Sequence, residues 1–128
     1  MATLSKQQIL DADDLKRELV EVTEWGGSVL LRELRGRERD AFEEDSLDKQ
    51  RNLSMRNMRA RLVAASAIDE NGERLFTNNE AAELGEKSAT ALNKCFDVAC
   101  GLSGIRDADI EELEGNLETG QPDSYGSI

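Results

Sequence analysis

The chain has 128 residues, with 27 acidic and 16 basic side chains, a formal net charge of −11 and no histidine. This charge opposes sequence-independent binding to nucleic acid, which depends on Lys and Arg neutralising phosphates. The lack of histidine excludes Ser-His-Asp and Cys-His catalysis and His-containing zinc sites. No apolar run approaches the length of a membrane span, and the acidic N-terminus indicates no export signal. We therefore expect a cytoplasmic protein that binds neither nucleic acid nor a membrane.

The first elements in chain order are a short helix and a β-hairpin. Ser5 and Gln8 have the spacing of a capping box, which predicts a helix over residues 4–12. Residues 18–25 alternate in polarity and include β-branched side chains, so they predict a strand, and residues 28–34 a second one. Gly26 and Gly27 lie between them and predict a tight turn with positive φ at both glycines.

Two helices and a loop are predicted in the middle of the chain. Residues 37–47 predict a helix with Ala41 and Phe42 facing inward, and residues 46–54 lack periodicity and are interpreted as a mobile loop. A better helical pattern runs over residues 54–68. Its apolar residues recur every three or four positions: Met55, Met58, Leu62, Ala65 and Ile68.

The rest of the chain predicts a turn, three more helices and a tail. Residues 69–72 are typical of a turn, and the capping box of Thr77 and Glu80 opens a short helix that ends near Gly85. The most apolar helix is predicted over 87–102, with Gly104 as its C-cap, and an acidic helix over 107–117. Taken together, we predict an α+β fold in which a short N-terminal helix and a β-hairpin are followed by about four helices packed on it. Residues 1–117 form one domain in this interpretation, and 118–128 a flexible tail.

No motif in the sequence indicates catalysis or a cofactor. Asp69, Asn71 and Gly72 resemble the start of a calcium-binding loop, but Gly is not at the sixth position and Arg74 is there instead. Cys95 and Cys100 lie five residues apart, which suits neither a disulfide nor a C-x-x-C motif, and we interpret them as small apolar residues. Walker-type and dinucleotide-binding glycine motifs are absent. We expect a protein that is not an enzyme and holds no cofactor or metal.

The charge pattern along the chain is more informative. Residues 49–61 contain five basic side chains and no acid, whereas residues 107–118 contain acids and no base. The two segments pair within one chain, or they form complementary surfaces that meet another subunit or an acidic partner helix. A third interpretation, an RNA-binding strip at 49–61, is disfavoured by the lack of nearby aromatic residues and by the surrounding negative charge. Trp25 has two open interpretations, as a core anchor or as an exposed anchor for a partner.

Several segments, in this order and spacing, resemble the tail assembly chaperones of long-tailed (siphovirus-type) bacteriophages and prophages. The clearest are ILDADDLK at 9–16, VEVTEWGG at 20–27 and GRERDAFE at 36–43. The later segments RARLVA, DENGERLFT and LGEKS continue the resemblance, which covers about residues 3–117. Three positions depart from the family pattern. Thr23 stands where a proline is usual, and Arg35 and Arg106 each stand where a helix-capping residue is usual.

The resemblance implies a non-catalytic chaperone in the host bacterial cytoplasm, absent from the mature virion. It would bind the tape measure protein and help to recruit tail tube protein, mainly through a longer, frameshifted form, and it would form a homo-oligomer. An acidic regulatory or inhibitor adaptor acting by protein–protein contacts is the alternative, which the basic segment 49–61 disfavours. The residues predicted to bind a partner or to mediate self-association are Trp25, Met55, Arg56, Met58, Arg59 and Leu62.

Overall fold

The first element is a short helix that makes no contribution to the core. In the computed structural model, which describes residues 2–105, helix α1 spans Lys6–Asp11. Ser5 Oγ accepts a hydrogen bond from the Gln8 backbone at 3.1 Å, and Gln8 Oε1 accepts one from the Ser5 backbone at 2.8 Å. The predicted capping box is therefore confirmed, although the helix is shorter than predicted and buries none of its residues.

The predicted hairpin is confirmed, but its turn is different. Strand β1, Arg17–Val22, pairs antiparallel with strand β2, Gly27–Arg32. A 3-10 turn over Thr23–Trp25 reverses the chain, so Gly26 alone takes a positive φ, of 73°. The prediction of positive φ at Gly27 is wrong, because this residue already pairs with Val22 in the sheet.

Helix α2, Gly36–Asp45, follows the hairpin. Phe42 is half-buried as predicted, whereas Ala41 is exposed, so its inward assignment is wrong. The segment 46–54, which we interpreted as a mobile loop, is closed by a β-bridge between Leu47 and Leu53. The Asp48 carboxylate also accepts hydrogen bonds from the backbones of residues 50 and 52 within this loop.

The helix predicted over 54–68 is replaced by a shorter helix and a strand. Helix α3 spans Met58–Ser66, and Ala67–Ile68 forms strand β3. Asn57 has a left-handed backbone (φ 52°) directly before α3, so the residues before it lie outside the helix. Among the described residues the sheet order is β1-β2-β3, and one edge of β1 is unpaired there. The sequence pattern missed β3 because the helical spacing of Leu62, Ala65 and Ile68 continues from the helix into the strand.

The last described elements follow the sequence closely. The capping box of Thr77 and Glu80 is confirmed and opens a 3-10 turn that leads into helix α4, Ala81–Leu84. Helix α5 spans Ala89–Ser103, and Gly104 ends it with a left-handed backbone, as predicted (φ 69°). The predicted helix at 107–117, the tail at 118–128 and the domain boundary between them lie outside the described residues.

The core lies between one face of the sheet and helices α3 and α5. Val22 and Leu31 of the sheet, Leu62 of α3 and Cys95 of α5 are completely buried. At the far end of α5 the Ser103 hydroxyl accepts a hydrogen bond from the Leu34 backbone at 2.9 Å, which fixes the helix against the chain leaving β2. The fold is α+β, as predicted. Across residues 2–105, no helix is both long and apolar enough to cross a membrane.

Candidate interaction surfaces

The structure separates the residues that the sequence grouped as one binding strip. Met58 is 5% exposed and Leu62 is fully buried, so both belong to the core and neither lies on a surface. Met55 is 53% exposed, and Arg56 and Arg59 are exposed as well. Helical periodicity placed Met55, Met58 and Leu62 on one stripe of a single helix, but Met55 and Arg56 precede α3. The surface that remains, which we call the basic strip, consists of Met55, Arg56 and Arg59.

The two arginines of the basic strip have no acidic partner among the described residues, and the acidic segment 107–118 lies outside them. The Arg59 guanidinium carbon lies 5.8 Å from the centre of the Phe96 ring, a distance at which a cation is attracted to the ring face. Among residues 2–105, neither Arg56 nor Arg59 forms an ion pair. In a protein of net charge −11, two such neighbouring cations beside an exposed methionine make a surface distinct from its surroundings.

Arg61, the last base of the segment, has a structural role instead. It is half-buried and donates hydrogen bonds to Ser46 Oγ at 3.0 Å and to the Ser54 carbonyl at 3.3 Å. Its guanidinium carbon lies 5.4 Å from the centre of the Phe42 ring. Burial lowers the pKa of Arg61 from its ordinary value, and Asp45 opposes this shift. Arg61 therefore fastens the 46–54 loop to α2 and α3.

Trp25 lies at the tip of the hairpin and lines an apolar groove. It is half-buried, because one side of the indole packs against the core while another faces the groove. The contact with the core agrees with the first interpretation of Trp25, and its role as an anchor for a partner stays a prediction. The groove, which we call the tip groove, has a volume of about 340 Å³, and none of the basic-strip residues line it. Its lining residues are Trp25, Phe76, Glu83, Leu84 and Lys87.

The hairpin tip is also held to α5 by an ion pair. Lys94 Nζ donates a hydrogen bond to Glu24 Oε1 at 2.9 Å. This hydrogen bond lowers the pKa of the Glu24 carboxyl from its ordinary value, with further contributions from its own backbone and from Thr23. Because Trp25 follows Glu24 directly in the chain, this ion pair also fixes the position of Trp25 beside the groove.

A smaller cavity of about 120 Å³ lies between α2 and α3, and several of its charged groups are bound to other parts of the fold. Glu38, at its edge, accepts hydrogen bonds from Arg32 Nη2 at 2.7 and 2.9 Å and from the Arg35 backbone at 2.7 Å. Arg74 donates to the Ala64 carbonyl at 3.0 Å, near the end of α3. These contacts stabilise the fold.

The structure was also compared with the arrangements that metal ligands and disulfides require, within the described residues. No cluster of three or more His, Cys, Asp or Glu side chains able to hold a metal ion occurs between residues 2 and 105. Burial raises the pKa of the Cys95 thiol from its ordinary value, which favours the protonated form, and Lys94 opposes this shift. Cys95 and Cys100 are not joined by a disulfide.

Sequence reasoning missed two features of the surface. The tip groove includes Phe76, Leu84 and Lys87, which come from a segment far from Trp25 in the chain, and no local pattern connects the two. The other feature is α1, where Ile9 and Leu10 are 56% and 67% exposed, which its capping box does not indicate.

Comparison with known proteins supports a fold assignment. No protein-family model matches the chain, and no curated protein matches it. Among solved structures, the fold is similar to that of the bacteriophage HK97 tail assembly chaperone, with a TM-score of 0.55 and 23% sequence identity. The match covers 79% of this chain and 95% of that one. The chain therefore has a fold like that of a phage tail assembly chaperone.

Proposed function

We propose that this protein is a phage tail assembly chaperone that acts by binding and not by catalysis. Its partners in this proposal are the tape measure protein, which it keeps soluble during tail assembly, and tail tube subunits, which it helps to recruit. It works in the host bacterial cytoplasm and is absent from the mature virion. The observation that supports the proposal most is the similarity of fold to the HK97 tail assembly chaperone over 79% of the chain.

The basic strip is the surface that we propose for the tape measure protein. A holding protein needs contacts that adapt to different apolar segments, and the unbranched side chain of Met55 supplies such a contact. Arg56 and Arg59 favour a partner helix that carries acidic residues beside its apolar ones. The net charge of −11 would keep the complex soluble.

The tail tube contact belongs mainly to a longer product in this proposal. A ribosomal frameshift near the end of this reading frame would add a second domain, and that domain would contact the tube protein. The chaperone is also proposed to form a homo-oligomer, so that several copies cover one extended tape measure chain.

The proposal is tested by co-expressing the chain with fragments of the tape measure protein from the same phage or prophage. Fragments that are insoluble alone should become soluble and purify with the chain. The double variant Arg56→Glu with Arg59→Glu should abolish this effect, because it changes the charge of the proposed contact by −4. The matched control is Arg17→Glu with Arg37→Glu, which changes the same charge at exposed positions outside the strip and should retain binding.

The possible outcomes test the chaperone role and the basic strip separately. If no fragment gains solubility with the wild-type chain, the chaperone role is wrong. If fragments are held equally well by both double variants, the role stands and the basic strip is not the contact.

A further inference from the structure

The small cavity between α2 and α3 is lined by three arginine side chains, and we call it the arginine cavity. Arg37 comes from the first turn of α2, Arg61 from α3 and Arg74 from the segment that follows β3. The volume of about 120 Å³ is smaller than the roughly 300–1,000 Å³ of pockets for drug-sized ligands and suits a single functional group. In a chain of net charge −11, arginines that converge on one cavity favour an anion there.

The acidic side chains that line the arginine cavity form no ion pairs with its arginines. Both oxygens of Glu38 already accept hydrogen bonds from Arg32, at 2.7 and 2.9 Å. Asp45, at the end of α2, is exposed, and within residues 2–105 it forms no ion pair. The three arginines also have no ion pair among the described residues. The cavity therefore has unused capacity to bind a negatively charged group.

Arg74 holds its guanidinium in a fixed orientation beside the cavity. Its Nε and Nη2 donate hydrogen bonds to the Ala64 carbonyl at 3.3 and 3.0 Å, and Nη2 also donates to Asn78 Oδ1 at 2.8 Å. In the described part of the chain, these bonds leave its Nη1 without an acceptor. A guanidinium that is already fixed loses little freedom when it binds a ligand, and its planar N–H groups match the geometry of a carboxylate.

Arg37 supplies a second guanidinium that the fold does not use. Its side chain is exposed, and between residues 2 and 105 it forms neither a hydrogen bond nor an ion pair. Because Arg37 and Arg74 line the same cavity, one carboxylate can accept hydrogen bonds from both.

The rest of the lining selects the kind of anion. Ala41 and Phe42 of α2 and Ala65 of α3 provide an apolar wall, against which a short aliphatic stem can pack. The carboxylates of Glu38 and Asp45 disfavour a doubly charged anion such as phosphate, because each of them repels it. A singly charged carboxylate on an aliphatic stem fits both features, and the glutamate side chain has this composition.

We propose that the arginine cavity binds a glutamate side chain of a partner polypeptide. The ligand carboxylate accepts hydrogen bonds from Arg37 and from Arg74 Nη1, and the methylene groups of the ligand pack against Phe42. The Arg61 guanidinium adds attraction while it keeps its own hydrogen bonds to Ser46 and Ser54.

This contact goes beyond the proposed function, because it lies on the other side of α3 from the basic strip. Residues two apart in a helix point about 200° apart. Arg59 accordingly faces Phe96 of α5, whereas Arg61 faces Phe42 of α2. A partner bound at the cavity therefore contacts a different surface from the one proposed for the tape measure protein.

The test titrates the full chain with N-acetyl-glutamate methylamide, whose only charged group is the side-chain carboxylate. Two-dimensional NMR follows the Nε–H signal of Arg74 and the backbone amides of α2, and both should shift until binding saturates. N-acetyl-glutamine methylamide has nearly the same shape without the charge. At matched ionic strength it should leave these signals in place.

Three single variants of exposed residues test the geometry. Arg37→Gln removes one of the two donors and should weaken binding of the glutamate probe by about fivefold. Asp45→Asn removes a repelling carboxylate and should strengthen binding by about twofold. Arg17→Gln is the matched control, because it makes the same charge change on β1, and it should bind the probe like the wild type.

Four results would overturn the proposal. The first is that the glutamine probe shifts the same signals, or that neither probe does. The second is that inorganic phosphate binds more tightly than the glutamate probe, which would assign the cavity to a different anion. The third is that Arg17→Gln weakens binding as much as Arg37→Gln, which would mean that the overall charge attracts the probe. The fourth is that the probe binds only when the acids of residues 107–118 are replaced by their amides, because the carboxylate would then come from the chain itself.

Discussion

Helices α1 and α3 show how differently two segments of one small protein can use apolar residues. In α3, Met58–Ser66, seven of the nine residues are buried, whereas α1, Lys6–Asp11, buries none of its six. The apolar side chains of α3 meet the sheet, α4 and α5, while those of α1 meet solvent. We infer that α3 determines the stability of the folded chain and that α1 is available for association.

The largest expected effect comes from the buried ion pair of the folded body. Arg32 and Glu38 are 3% and 7% exposed in their side chains, and Glu38→Ala would leave the Arg32 guanidinium buried without its carboxylate. The free energy of unfolding should fall by about 3–5 kcal/mol. Asp11→Ala, an exposed change in α1, should alter it by less than about 0.5 kcal/mol. Urea denaturation of both variants at low protein concentration measures the difference.

Shortening a leucine compares the two helices directly. Leu62→Ala removes a fully buried side chain from α3 and should lower the free energy of unfolding by about 2–5 kcal/mol through lost burial and the cavity left behind. Leu10→Ala removes a side chain that is 67% exposed and should leave this free energy nearly unchanged. A comparable loss in both variants would mean that α1 packs on its own chain, contrary to the comparison.

Removing a helix cap compares a packed helix with the exposed helix α1, and the expected effect on stability is smaller. Ser88 caps α5, its hydroxyl accepting a hydrogen bond from the Ala91 backbone at 3.2 Å, and Ser88→Ala should lower the free energy of unfolding by about 1 kcal/mol. Ser5→Ala removes an equivalent bond from α1 and should leave global unfolding unchanged. Hydrogen exchange should instead show faster exchange of the α1 amides alone in this second variant.

The smallest expected effect concerns the contact that holds the hairpin tip to α5. Since the hydrogen bond from Lys94 lowers the pKa of Glu24, this contact stabilises the fold above the unfolded-state pKa of Glu24. The stabilisation is lost as the pH falls through the lower pKa of the folded state. Lys94→Met should raise the pKa of Glu24 toward its ordinary value, as measured by NMR titration of its side-chain carboxyl. An unchanged pKa would show that Lys94 is not its main partner.

Local signals in the sequence predicted much of the fold. The capping boxes at Ser5 and Thr77 and the C-cap glycine at position 104 depend on neighbouring residues only, and all three are confirmed. The hairpin is confirmed for a similar reason, since alternating polarity on both sides of a glycine pair is typical of two strands joined by a turn. The α+β class follows from these elements together.

What the sequence could not predict depends on residues far apart in the chain. Ala67 and Ile68 look like the end of a helix, and they form a strand because β2 is there to pair with them. Met58 and Leu62 looked like a surface strip because helical spacing alone does not say which side of a helix the core occupies. The tip groove joins Trp25 to Phe76 and Leu84, which pack together only once the chain has folded.

The open edge of β1 has a consequence for how the protein avoids uncontrolled aggregation. An exposed strand edge can pair with the edge of another molecule and grow into an insoluble sheet. Here β1 carries Arg17, Glu18 and Glu21, all exposed, and pairing with another strand edge would have to remove water from these charged groups. Replacing both glutamates with threonine would remove this protection and should make the protein precipitate, even though its stability as a single chain would change little.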